Sequence, residues 1–199
     1  MKTLIFNGSP RGNGGTAALI NALRVRLSGD VTIVNTYGAD ISPCTDCRFC
    51  WANEGCAVND GMQNVYRYIC ESDNILIASP IYFAELTGSL LSVMSRLQYL
   101  YTARRFRGIE VLPAKKRNGA IILVDGGDNY EKTAMAMGKR LLRIMNADFI
   151  GSVYFSGTDN EPKYSTNVPE IITDEIAKLA AKINRLNAAA GSPQRNVRR

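Results

Sequence analysis

Histidine is missing from all 199 residues. With it go the commonest general base and the commonest metal ligand, and Ser-His-Asp or Cys-His hydrolysis in its usual form is excluded. Any metal must be held by thiolates or carboxylates. Long apolar runs are lacking as well, since none approaches the ~20 residues of a membrane span. Met1-Lys2 leads straight into a short strand and a polar turn, which is not the layout of a signal peptide. These absences predict a cytoplasmic protein with no membrane partner.

Linkers and internal repeats are absent too, so residues 1–190 read as a single domain, followed by a polar tail at 191–199. The length suits one core burying roughly 70 % of the unfolded surface, and 46 % hydrophobic with 21 % charged residues is ordinary for a globular chain. Net charge is +6, but the excess is local. Arg104, Arg105, Arg107, Lys115, Lys116 and Arg117 share one segment, and Arg195, Arg198 and Arg199 share the tail. Aromatics are not interleaved there as on a base-stacking surface, so nucleic acid is not expected. A solvated face or a subunit contact is the plain reading, and an anionic nucleotide substrate the alternative.

What is present is organised around Asn7-Gly8-Ser9-Pro10-Arg11-Gly12-Asn13-Gly14-Gly15-Thr16. The run Leu4-Ile5-Phe6 leads in, and a helical pattern (Leu19, Ile20, Leu23, Leu27) leads out. A strand that turns through Gly and Ser into a helix offers unpaired amides and the positive end of the helix dipole. Ser9 and Thr16 add hydroxyls, Arg11 adds a forked cation, and Gly14 and Gly15 let the backbone approach closely. This is a phosphate cradle.

Strand and helix patterns alternate downstream. Val31–Val34 is a β-branched strand, and a long non-periodic loop follows at about 37–59. Asp60 is a candidate N-cap for a helix through Val65 and Ile69. Asn74–Ser79 reads as a buried parallel strand ended by Pro80. A helix with Leu86, Leu90, Val93 and Leu97 follows, then a strand at Ala120–Val124. Ala134, Gly138, Leu141, Leu142 and Met145 mark the next helix, Phe149–Phe155 a fifth strand, and Ile172, Ile176, Leu179, Ala180 and Ile183 the last helix. Five strands alternating with five helices predict a doubly wound parallel sheet with helices on both faces.

Two other phosphate sites fail. Gly12–Ala17 matches G-x-G-x-x-G/A literally, but no carboxylate ends the second strand, at Val34-Asn35-Thr36, as a dinucleotide site needs. No Lys precedes Thr16, so a P-loop is excluded. The flavodoxin-like order 2-1-3-4-5 remains, with a mononucleotide at the switch point. There, three loops share one sheet edge. Residues 8–16 hold the phosphate, Pro80, Ile81, Tyr82 and Phe83 offer apolar surface and amides to a ring, and Gly126 and Gly127 in the 125–129 loop allow close approach. FMN, one phosphate and one flat tricycle, fits all three.

Asn-Gly-Ser-Pro-Arg-x-Asn-Gly followed by Thr, with Ser79-Pro80-Ile81-Tyr82-Phe83, resembles the NAD(P)H-dependent FMN reductase family of flavodoxin-like proteins. The resemblance runs from residue 3 to about 155. It implies phosphate contacts at Ser9, Arg11, Asn13 and Thr16, an isoalloxazine loop at Pro80, Ile81, Tyr82 and Phe83, and a weaker third contact at Gly126 and Gly127. The family often has Asn where this chain has Gly15, which leaves only a backbone amide there. The implied activity is FMN-dependent reduction of a small acceptor such as a quinone or flavin by NADH or NADPH. No catalytic side chain is singled out, because the flavin carries the redox chemistry.

Cys44, Cys47, Cys50 and Cys56 form C-x2-C-x2-C-x5-C. Structural zinc usually takes two C-x2-C pairs across a longer spacer, whereas successive x2 spacings suit bacterial [4Fe–4S] loops. A cluster, zinc and unligated thiols all stay open. The pattern is similar to the iron–sulfur flavoprotein branch of the family, which implies a cluster relaying electrons to FMN in a homodimer or homotetramer, with a ferredoxin-like protein as a candidate partner. An electron carrier or redox sensor with no substrate of its own is the alternative function. Cys70, among apolar neighbours on a helix, reads as a core residue.

Overall fold

The computed structural model of the protein describes residues 1–127, 130–159 and 168–191. Asp128 and Asn129, part of the expected third loop, lie outside the described residues, as do 192–199 of the expected tail with its three arginines.

The strands are β1 (Lys2–Asn7), β2 (Asp30–Asn35), β3 (Asn74–Tyr82), β4 (Glu85–Leu86), β5 (Arg117–Val124) and β6 (Ala147–Phe155). The helices are α1 (Gly15–Arg24), α2 (Phe49–Ala52), α3 (Met62–Glu71), α4 (Gly88–Ser95), α5 (Gln98–Thr102), α6 (Glu131–Ile144) and α7 (Glu170–Gly191), with a π-helical turn at Ala103–Arg107 after α5. The sheet order is β2-β1-β3-β5-β6, all parallel. With the two-residue β4 set aside, this is the expected 2-1-3-4-5.

Alternation along the strands builds a core on each face. Leu4, Phe6, Ile75, Ile77, Ile121 and Leu123 point to α3, α4 and α6, while Ile5, Leu76, Ala78, Ala120 and Ile122 point to α1 and α7. Every one of these side chains is essentially inaccessible to water. Among the described residues, no helix is long and apolar enough to cross a membrane.

Five local expectations are corrected. Pro80 does not end its strand, because β3 runs on to Tyr82 and pairs Pro80 with Val124 of β5. The Ala78 carbonyl accepts from Gly8 N (2.8 Å), so by alternation the nitrogen of Pro80 faces the same side, where β1 has already ended. The missing N–H leaves no donor unpaired. Leu86 belongs to no helix; it lies in β4, antiparallel to β3, which adds a sixth, short strand to the five expected. Leu27 lies beyond the end of α1, and the 37–59 loop contains α2, too short to show a period.

The fifth correction concerns charge. Arg117 is not on a solvated face: it is 1 % exposed and donates to the carbonyls of Ile69 (3.0 Å), Cys70 (3.1 Å) and Lys115 (3.2 Å). It thus satisfies last-turn carbonyls of α3 at the negative end of that helix. Arg104 pairs with Glu110, and Lys115 with Asp73. Arg104, Arg105 and Lys116 stay exposed, as on the expected solvated face.

Candidate functional site

The turn after β1 is built by its own side chains. Asn7 Oδ1 accepts from Ser9 N (3.0 Å), and Ser9 Oγ accepts from Arg11 N (3.2 Å). Thr87 Oγ1 donates to the Gly8 carbonyl (2.8 Å), tying the turn to the start of α4. A β-carbon on Gly8 would stand 3.0 Å from Leu90, Ser79 Oγ and Thr87 Oγ1 alike, so any larger residue would push these side chains aside.

Among the described residues, no amide from Gly12 to Ala17 has a backbone partner; the first bond of α1 is Ala18 N to the Gly14 carbonyl (3.0 Å). Gly14, Gly15 and Thr16 of this stretch line a cleft of about 230 Å3 at the positive end of the helix dipole. Its walls include Ser9, Arg11, Gly14, Gly15, Thr16, Pro80, Ile81, Tyr82 and Gly126. Nine of the twelve residues expected from sequence at the cofactor site therefore meet. Asn13 is exposed outside the cleft, Phe83 faces a neighbouring cavity, and Gly127 lines neither. At Gly15 a β-carbon would make one tight contact, with Val124 Cγ1 at 3.3 Å, and ordinary contact with the Phe155 ring at 3.8 Å.

Pro10, Val124, Thr158 and Asp159 also line the cleft, and sequence reasoning missed them. Thr158 and Asp159 follow β6 and arrive through Thr158 N to the Asp125 carbonyl and Asp159 N to the Gly126 carbonyl, both 3.2 Å. No local pattern announces that crossing. Asp125 holds the adjoining edge, accepting from Gly127 N (2.8 Å) and Tyr154 OH (2.6 Å). Burial and that carboxylate push the Tyr154 hydroxyl up to about 12.

Between β3 and β4, the two-residue turn Phe83–Ala84 has φ of +52° and +66°. Positive φ at both central positions is the type I′ signature, usually given to Asn-Gly. Side chains with a β-carbon pay ~1–2 kcal/mol each in this region. Five non-glycine residues have positive φ among the described ones; two form this turn, and two more, Asp46 and Arg48, flank Cys47. Such strain collects where surrounding structure imposes it, often at sites of function.

The four motif cysteines line one cavity of about 230 Å3, whose walls also include Trp51, Tyr99, Thr102 and Phe106. Side-chain hydrogen bonds fasten this loop. Arg96, with no exposed side-chain surface, donates from Nη1 to Asp60 Oδ2 (2.7 Å) and the Ser42 carbonyl (2.9 Å), and from Nη2 to the Val58 carbonyl (3.0 Å). One guanidinium thus ties both ends of the loop. Ser95 Oγ accepts from Cys44 N (2.9 Å), Thr102 Oγ1 lies 3.1 Å from Cys50 Sγ, and Trp51 stacks on Phe106 at 4.2 Å between centroids. Among the described residues, no three His, Cys, Asp or Glu converge as on a single ion. Asp60 also caps α3 through Met62 N (3.0 Å), one residue outside the assigned cap, Gly61. Burial works against its charge, but hydrogen bonds from Arg96, Ser42 N and Met62 N outweigh it and hold the carboxyl below its ordinary range. Cys70 packs against the core, and burial raises its thiol pKa.

The model of the NADPH-dependent FMN reductase family matches residues 1–161. The chain belongs to this family. As an FMN reductase family member it is an FMN-dependent oxidoreductase of the NAD(P)H reductase type. It is 27 % identical over 193 residues to an iron–sulfur flavoprotein of Archaeoglobus fulgidus, covering 96 % of this chain and 80 % of that one. An iron–sulfur flavoprotein of Methanosarcina thermophila is 25 % identical over 142 residues, 69 % of this chain and 71 % of the relative. Among solved structures, an NAD(P)H:quinone oxidoreductase from Methanothermobacter marburgensis superposes with a TM-score of 0.64 at 14 % identity, over 93 % of this chain and 94 % of that one. An FMN-dependent NADH-azoreductase from Bacillus anthracis, in complex with FMN, gives 0.62 at 16 % identity, over 92 % of this chain and all of the other. At these identities the structural likeness establishes the shared fold.

Proposed function

We propose that the FMN reductase reading applies to this chain residue by residue, with the cleft at the end of β1 as the FMN site. The unpaired amides of Gly14, Gly15 and Thr16, which line the cleft, carry this reading. They suit a phosphate dianion. Ser9 and Thr16 supply hydroxyls to that phosphate, and Arg11 neutralises it. Pro80, Ile81, Tyr82 and Gly126 bound the ring end. When bound there, FMN would supply the redox chemistry between NADH or NADPH and a small acceptor. The side chains bind and orient; no proton-transfer residue is needed for this reading.

The four cysteines are read as ligands of a [4Fe–4S] cluster that exchanges electrons with the flavin. Their shared cavity supports this, as do two relatives named iron–sulfur flavoproteins. A single tetrahedral ion would draw the sulfurs to ~3.8 Å of one another at Zn–S about 2.3 Å, closer than the corners of a cube require. The protein is further read as a cytoplasmic homo-oligomer. An apolar recess where α4 and α5 meet α6, with Leu91, Tyr101, Met137 and Ile144 among its walls, is surface that a subunit contact would cover.

Anaerobic purification, followed by absorbance spectra, iron and sulfide assays and NAD(P)H oxidation with added acceptors, tests the reading. Flavin with iron, sulfide and acceptor-dependent turnover is expected. Flavin without iron removes the cluster; flavin with no turnover on any acceptor removes the reductase in favour of a carrier.

A further inference from the structure

Thr102, the last residue of α5, is 4 % exposed and turns its hydroxyl toward the cysteine loop. A threonine hydroxyl in a helix ordinarily satisfies itself on a carbonyl three or four residues back. Here that carbonyl, of Tyr99, is 3.4 Å away and the carbonyl of Cys50 3.5 Å away. Both lie beyond the usual reach of an O–H donor to oxygen, about 2.5–3.0 Å. Cys50 Sγ, a larger atom, stands at 3.1 Å. One hydroxyl has one proton to give, and these distances send it to the sulfur. Among the described residues this is the one hydrogen bond that reaches a motif sulfur.

The bond is poor for a thiol and good for a thiolate. A neutral cysteine sulfur is a weak acceptor, so a buried hydroxyl given to it is nearly unsatisfied, which is costly. A metal-bound thiolate carries negative charge and takes a stronger, charge-assisted bond. Four thiols around one cavity of about 230 Å3 offer that state, since each loses its proton on binding iron. Tyr99, 8 % exposed, lines the same cavity, and such low-dielectric surroundings strengthen the bond further.

We propose that Thr102 raises the reduction potential of the cluster by donating its hydroxyl proton to Cys50 Sγ; this rests on the reading of the four cysteines as [4Fe–4S] ligands. One-electron reduction adds negative charge that the ligand sulfurs share. A donor at one of them therefore stabilises the reduced form more than the oxidised form. No bond to Thr102 is made or broken, and its proton stays on Oγ1. The electron comes from the flavin side, where NAD(P)H is the reductant, or from dithionite in a titration. Thr102 acts through Cys50, as a tuning residue and not a ligand. Its effect is to favour electrons on the cluster over electrons on the flavin.

Thr102→Val replaces the hydroxyl by a methyl group and keeps the branch, and Thr102→Ser keeps the hydroxyl. Anaerobically purified, FMN-loaded wild type and variants are titrated with dithionite and followed by electron paramagnetic resonance, with iron and sulfide assayed in each. In Thr102→Val the equilibrium constant for cluster reduction is expected to fall at least about threefold, a midpoint about 28 mV lower at ~59 mV per tenfold for one electron. Thr102→Ser keeps the wild-type midpoint, the flavin midpoint holds in both, and iron and sulfide are unchanged. Trp51, the one tryptophan of the chain and a wall of the same cavity, keeps its emission in the iron-free variants if the loop is undisturbed. In wild type alone, electron–nuclear double resonance of the reduced protein in H2O against D2O is expected to show an exchangeable proton coupled to the cluster, lost in Thr102→Val. Its absence from wild type overturns the proposal with no substitution needed. An unchanged cluster midpoint in iron-replete Thr102→Val overturns it and leaves the cluster reading intact. An equal fall in Thr102→Ser overturns it in favour of packing, and loss of iron or altered Trp51 emission in Thr102→Val overturns it in favour of a loop fastener. Wild type without iron and sulfide removes the cluster reading and this proposal together.

Discussion

Replacing Arg96 is the sharpest test of how the cysteine loop is held. Its side chain is fully buried, and its partner Asp60 is 8 % exposed. Arg96→Met removes a 2.7 Å ion pair and the donors to the Ser42 and Val58 carbonyls. Breaking one side of a buried pair costs about 3–5 kcal/mol. Asp60 keeps the Ser42 and Met62 amides, and the loop carbonyls can turn to water, so the lower end, about 3 kcal/mol, is expected. Against a total of ~5–15 kcal/mol, that is a severe loss. Urea unfolding followed by circular dichroism reads it. Arg96→Lys, which keeps the charge but loses the fork, is expected to fall between the two. Thiol titration under native conditions reports on the loop itself, and all four motif cysteines should react faster in Arg96→Met. A loss below about 1 kcal/mol, with unchanged thiol reactivity, would show that the guanidinium does not fasten the loop.

Three further outcomes follow from particular contacts. Arg11→Ala should weaken FMN binding by about 1.5–3 kcal/mol, the worth of a hydrogen bond to a charged group, and equilibrium dialysis measures it. Ala84→Gly should stabilise by about 0.5–1 kcal/mol, because relief of ~1–2 kcal/mol of left-handed strain exceeds the ~0.5–1 kcal/mol entropy cost of glycine; a lower thermal midpoint would contradict the type I′ geometry. The lowered Asp60 carboxyl contributes stability that is fully present above its unfolded value, near ~4, and is lost as pH falls through the folded value. Asp60→Asn should therefore flatten the acid limb of the stability profile between about pH 5 and 2, and a profile parallel to wild type would refute the assignment.

The cradle and the sheet were legible because their signals are local. β-branched and apolar runs, helical periodicity and a Gly-rich turn each act over a few residues, and the parallel order follows from their alternation. The cysteine pattern left a cluster, zinc and unligated thiols open, and the four cysteines line one cavity. What escaped the sequence depends on long-range placement. The β3–β4 hairpin hides behind Phe83-Ala84, which carries no turn signal, and Pro80 looked like a terminator until the end of β1 made its missing N–H harmless. Arg117 was read with the solvated basic segment and Arg96 was not singled out, since nothing local says that a charge will be buried against distant carbonyls. Thr158 and Asp159 reach the cleft only because β6 lies beside β5.

The phosphate end of the cofactor site is tested most directly by titrating the apoprotein with FMN and, separately, with riboflavin, which has the same ring and no phosphate. One FMN per chain is expected to bind, with riboflavin at least about tenfold weaker, the least that a lost charge-assisted contact of ~1.5 kcal/mol implies. Equal affinity for the two, or no uptake of FMN, would contradict the assignment of the Gly8–Thr16 loop.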